Sequence, residues 1–97
     1  MKKLSQQRRK AIVSVIGKDQ VGIIAKVTTV VAERKINILD ISQSLMEDCF
    51  IMVVLLDFTN ADKNLVELQN EFTALGEELN LKIKLQNKEI FRNIYNV

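Results

Sequence analysis

The feature that most constrains how this chain can fold is a change of rhythm in its apolar residues. They recur either at a spacing of about two, as along one face of a strand, or at about 3.6, as along one face of a helix. "KAIVSVIG" is short, β-branched and closed by Gly17. From Val21 onward, Ile23, Ile24, Val27, Val30 and Val31 fall at helical spacing, with Lys26, Glu33 and Arg34 among the polar positions. "RKINILDISQSLME" then alternates, Leu39, Ile41 and Leu45 one way and Asp40, Ser42 and Ser44 the other. "EDC" turns the chain, and "FIMVVLLDF" is a strand with apolar residues on both faces. "TNADKN" offers Thr59, Asn60 or Asp62 as a helix cap, and Leu65, Leu68, Phe72, Leu75 and Leu79 make the stripe of a second helix. "LKIKLQ" alternates as a fourth strand, and residues 87–96 read as a short amphipathic closing helix.

The predicted order is therefore β-α-β-β-α-β. Two βαβ units joined by a hairpin give an α+β, ferredoxin-like sandwich: a four-stranded antiparallel sheet with both long helices on one face. Right-handed crossovers lead to strand order 4-1-3-2, with the first and third strands central, followed by the short C-terminal helix. Residues 1–9 read as a basic extension, and residues 10–97 as a single domain that includes the closing helix. One consequence is awkward. The second sheet face should be polar, and Lys82, Lys84, Asp40 and Ser42 on the outer strands comply. The third strand does not, because both of its alternating sets are apolar. Something is expected to cover that face centrally, either the closing helix through Ile90, Phe91, Ile94 and Tyr95 or a second subunit. An unprotected edge strand points the same way, towards a homodimer.

Composition removes several classes of chemistry. The 97 residues contain no histidine and one cysteine, Cys49, so imidazole catalysis, cysteine–histidine pairs, CxxC motifs and histidine metal sites are absent. No cofactor, metal or catalytic residue is expected. Cys49 itself has only distant lysines in sequence to lower its pKa and reads as structural. The net charge of +2 hides a division: from Ala11 onward there are nine basic against twelve acidic residues. A basic face for nucleic acid is thus not expected, nor is a membrane span, since the longest apolar run is strand-sized. A cytoplasmic protein is the expectation. Three other activities known for such a sandwich also fit poorly. RNA recognition wants stacking aromatics on the central strands, metal carriage wants paired cysteines in the first loop, and acyl-phosphate hydrolysis wants an arginine there.

The first loop, "GKDQVGI", stands immediately before a helix N-terminus. Helix-start N–H groups lack intrahelical partners and sit at the positive end of the dipole, a setting that suits a small carboxylate. Asp19 could pair with an ammonium group, and Gly17 and Gly22 permit unusual backbone angles or close approach. An amino acid would satisfy both charges. A plainer reading stays open: Gly17 ends a strand, Asp19 caps the helix and Gly22 lets helix pack on sheet.

"VIGKDQVGIIAKVTTVVAERKINILDISQS" resembles the first half of an ACT domain, with its G-x-D-x-x-G-type loop and its asparagine-bearing turn "INI" into the second strand. The likeness runs from Lys10 to about Gln86, and the ending "NKEIFRNIYNV" is similar to that of small stand-alone ACT domain proteins of bacteria. The resemblance implies a regulatory domain, not an enzyme, that binds an amino acid or related metabolite near a dimer interface. It implies a pocket from Lys18, Asp19, Gln20, Val21, Gly22 and Ile23 together with Asn37 and Ile38, Asp19 being the polar anchor. Asn37 has an alternative role as a turn residue tolerant of left-handed geometry. With no catalytic or DNA-binding domain expected on this chain, any output passes to a separate partner enzyme or regulator. The competing expectation is a ligand-free interaction module that uses the sheet face, an edge strand or the C-terminal helix.

Overall fold

The computed structural model describes residues 9–89; the extension at 1–8 and most of the expected closing helix lie outside them. The elements are β1 (Lys10–Lys18), α1 (Ile23–Glu33), β2 (Asn37–Met46), β3 (Cys49–Asp57), α2 (Leu65–Leu79) and β4 (Lys82–Asn87). The sheet order is β2-β3-β1-β4, and every neighbouring pair is antiparallel. This is the expected sandwich, with the expected strands in the centre.

Alternation along the central strands decides which side chains enter the core. Val13 and Val15 of β1 and Met52, Val54 and Leu56 of β3 point into the helix layer and are buried. They meet Ile23, Val27 and Val31 of α1, Leu68 and Phe72 of α2, and Ile83 and Leu85 of β4. On the opposite face Ile12, Ile51, Val53 and Leu55 are half-buried and Ile16 is 44% exposed. The described residues thus leave an apolar stripe open along the middle of that face, as the doubly apolar third strand implied.

Three local details differ from the sequence reading. The cap of α2 is Asn64, not Thr59, Asn60 or Asp62: its Oδ1 accepts from the Glu67 N–H at 2.8 Å, while Glu67 Oε1 accepts from the Asn64 N–H at 3.0 Å. This reciprocal capping box satisfies two helix-start donors at once, which a lone cap cannot do. A register shift between Ile38 and Asp40 sets Ile38 opposite Leu56 and Ile41 opposite Val54. The extra residue, Leu39, makes a bulge, so Ile38 and not Leu39 shares the helix-side face with Ile41 and Leu45. Arg9, counted with the extension on composition, belongs to the folded body. Its guanidinium lies 4.7 Å from the Phe58 ring centroid, and its N–H donates to Thr59 Oγ1 at 2.9 Å.

The two helices are cross-linked at one end. Arg34, which caps α1 at its C-terminus, donates from Nε to Glu71 Oε1 at 2.8 Å and from Nη2 to Oε2 at 3.0 Å. Lys63 Nζ stands 4.0 Å from the same carboxylate. The Arg34 hydrogen bonds outweigh partial desolvation and hold Glu71 below the ordinary glutamate value of 4.5, while Arg34 is raised. A carboxyl whose folded pKa is depressed adds stability above its unfolded pKa and loses it as pH falls through the folded one. Glu71→Gln is therefore expected to lower the urea midpoint at pH 7 and to approach the parent protein in strong acid. Equal differences at pH 7 and in strong acid would show that the pair contributes packing rather than charge.

Candidate functional site

β1 ends at Lys18 and α1 begins at Ile23, so residues 19–22 carry the chain from the sheet to the helix layer. The Asp19 N–H donates to the Asp48 carbonyl at 3.2 Å, which fastens the loop to the β2–β3 turn. Gln20 Nε2 donates to the Leu79 carbonyl at 3.0 Å, which fastens it to the last turn of α2. The Gly22 carbonyl accepts from the Lys26 N–H at 3.0 Å and opens the ladder of α1. The loop is thus a platform tied to both layers.

Gly22 is the N-cap of α1 at φ 88°, a left-handed conformation costly for residues with a Cβ. A Cβ there would meet open space, so the backbone angle demands glycine and packing against the sheet does not. No side chain caps this helix start, and no acidic residue lies in its first turn. The N–H groups of Ile23, Ile24 and Ala25 are therefore free of helical partners and lie at the positive end of the dipole. Asp19, which the plainer reading cast as a cap, does not cap. Its carboxylate has no hydrogen bond or ion pair among the described residues.

These groups surround a cavity of about 140 Å³ lined by Asp19, Gln20, Gly22, Ile23, Ile24, Ala25 and Phe50. The lining thus combines an acidic residue, Asp19, with the uncapped start of α1 and the apolar residues Phe50, Ile23 and Ile24. Such a hollow suits a small zwitterion: a carboxylate on the N–H groups and an ammonium on Asp19. Two wider hollows exist, one of about 400 Å³ beside Gly76 and Lys82 and one of about 320 Å³ between Lys26 and Glu78. Neither has an uncapped helix start beneath it.

The structure gathers some of the expected site residues and separates others. Asp19, Gln20, Gly22 and Ile23 line the cavity; Lys18 is exposed beside it, and Val21 stands fully in solvent at 100% exposure. Asn37 and Ile38 lie elsewhere. Asn37 pairs with Asp57, which neighbours Lys10, whereas the loop leaves β1 at Lys18, beside Cys49. Within one chain the two groups occupy opposite ends of the sheet. Asn37 is also no left-handed turn residue: Lys35, at φ 60°, makes that turn, and Asn37 is already in the strand. Ile24, Ala25 and Phe50 line the cavity as well and are not among the expected residues. Phe50 sits opposite Gly17 in the β1–β3 ladder, a long-range pairing that no local pattern in the sequence displays.

Beyond the cavity, β2 is exposed along its whole length. Its helix-side residues Ile38, Ile41 and Leu45 are 40%, 43% and 55% exposed, and Leu45 pairs with Phe50 of the cavity wall. Apolar surface therefore runs from the cavity onto a sheet edge.

A family profile described as the ACT domain matches residues 9–86. A UPF0237 protein of Clostridium acetobutylicum is 44% identical over 88 residues, which span 91% of this chain and 99% of that protein. The solved structure of an ACT domain protein from Streptococcus pneumoniae superposes with a TM-score of 0.77 at 40% identity, covering 88% of this chain and 96% of that one. The ligand-free regulatory subunit of aspartate kinase from Thermus thermophilus shares the fold, with a TM-score of 0.62 at 24% identity, over 82% of this chain and 52% of that subunit.

Proposed function

The chain belongs to the ACT domain family of regulatory modules, and on that premise we propose that it is a stand-alone sensor of a small amino acid that signals to a separate protein. The observation that carries this reading is that one small cavity is lined both by the uncapped start of α1 and by Asp19. Its volume favours a compact ligand, since a cavity of roughly 150 Å³ holds about one six-carbon ring. No step of chemistry is assigned to the site, and the protein acts by binding, in the cytoplasm.

A second copy completes the arrangement. Antiparallel pairing of two β2 edges about a two-fold axis sets the Asn37 end of one strand beside the Met46 end of the other. Met46 adjoins Cys49 and the turn to which Asp19 is bonded. Asn37 and Ile38 of the second copy then stand at the same end as the first copy's loop, and the helix-side apolar residues of both strands are covered. This homodimer reconciles a site divided within one chain with a site shared between two. The length and apolar exposure of β2 also favour a second reading, a ligand-free module that uses this edge to engage a partner.

A thermal-shift panel of free amino acids at millimolar concentration separates the two. A ligand at 100 times its Kd adds about 2.7 kcal/mol, a rise on the order of 10 °C or more in a domain this small. One or a few small amino acids are expected to give such a rise. Asp19→Ala is expected to weaken binding by about 10- to 100-fold, the worth of a hydrogen bond to a charged group, with little change in the ligand-free melting temperature. A flat panel overturns the sensor and leaves the interaction module.

A further inference from the structure

We infer that the open face of the sheet is the surface through which this protein meets its separate partner, and that the partner lays a short amphipathic helix there with acidic residues along one flank. That partner is the one the proposed function calls for, while the surface itself does not depend on the ligand cavity. Directly opposed residues of neighbouring strands share a side of the sheet, so register composes the face row by row. Leu55 stands opposite Ile12 and Ile51 opposite Ile16, which sets the apolar residues on the two central strands. Followed outward to β2, these rows end in Asp40 and Ser44. Followed outward to β4, the Ile16 row ends in Lys82, and Lys84 stands opposite Ser14 in the row between. An apolar stripe two strands wide therefore runs between an acidic, hydroxyl-bearing margin and a lysine margin. Both lysines are exposed, and among the described residues neither has an ion pair.

Width and charge select the occupant. Two strands amount to about 10 Å, close to the roughly 10–12 Å diameter of a helix with its side chains. From Ile12 to Ile16 the stripe runs about 13 Å, the length of roughly two to three helical turns. A second sheet, such as that of another copy, is four strands wide. It would cover both margins and take Asp40, Lys82 and Lys84 out of water, which is costly unless each finds a partner. A helix covers the stripe with its apolar side and keeps its flanks beside the margins, in water. The lysine margin then fixes the charge of one flank: carboxylates beside Lys82 and Lys84 steer and orient the helix. Edge pairing through β2 in the proposed homodimer continues the sheet in its own plane, so it leaves this face open in both copies.

Two dye-labelled synthetic peptides test this by fluorescence anisotropy against the full-length protein. Each is about 14 residues long, or roughly 20 Å as a helix, with a leucine ridge; one carries glutamates along one flank and the other carries lysines there. The glutamate peptide is expected to bind several-fold more tightly than the lysine peptide, and the difference should shrink as salt is added. Replacing both margin lysines, Lys82→Glu with Lys84→Glu, should invert that preference, a result that unfolding cannot mimic. Leu55→Asp should abolish binding of both peptides; Leu55→Ser, milder at the same spot, serves if the aspartate unfolds the domain. Equal binding of the two peptides, or a preference that survives the charge reversal, overturns the proposal. So does the failure of both to bind, the face then being covered by the rest of its own chain or by another copy. A flat amino-acid panel, by contrast, overturns the sensor and leaves this surface standing.

Discussion

Phe72→Ala is expected to lower the melting temperature by roughly 15–30 °C, because emptying a fully buried aromatic site costs about 3–5 kcal/mol. Among the described residues Phe72 is the largest side chain with no solvent exposure, and it sits mid-way along α2 in the same core cluster as residues of both central strands and β4. Its neighbours are held by the sheet ladders on one side and by the Asn64 capping box at the start of their own helix, so the cavity cannot close by local collapse. A small domain typically has about 5–15 kcal/mol in total, and one substitution removes a large part of it. Urea denaturation measures the loss directly. A fall of less than about 1 kcal/mol would mean that the core refills the space.

Gly76→Ala reverses the usual sign for a glycine inside a helix. On propensity alone, alanine should add about 0.5–1 kcal/mol. Here the added Cβ would lie 2.8 Å from the Leu81 carbonyl oxygen and 3.2 Å from the backbone nitrogen and Cβ of Ile83. The Leu81 N–H is meanwhile bonded to the Gly76 carbonyl at 2.8 Å. Backbone presses on backbone, and relief requires α2 to lift from β4. The net result should be a loss of about 1–3 kcal/mol, the range for overpacking. Thermal melts of the two proteins decide it, and a gain in stability would show that β4 yields easily.

These two residues also mark how far the sequence could be read. Phe72 was visible because Leu65, Leu68, Phe72, Leu75 and Leu79 keep helical spacing, and burial follows from period alone. Gly76 was not, because its role depends on where β4 returns, which no local pattern contains. The same division runs through the candidate site. Glycine, aspartate and glycine in one short loop are adjacent in sequence, so the platform could be recognised there. Phe50 and the distance of Asn37 from the loop depend on strand register across the sheet, and the bulge at Leu39 alters the simple alternation within β2. The cap at Asn64 lay within reach: Glu67 three residues later was the signal, obscured by several other capping-type residues nearby.

The two edges of the sheet are unlike. β4 is short and presents Lys82 and Lys84, which deter another strand, whereas β2 is ten residues long and rich in apolar side chains. A molecule with two adhesive edges can add copies without limit, as fibrils do. Among the described residues β2 is the one long apolar edge, so in the proposed dimer pairing like with like exhausts it after two copies. In that proposed assembly the lysines on the far side cap the stoichiometry, and neutralising them would let the pair grow into a ribbon.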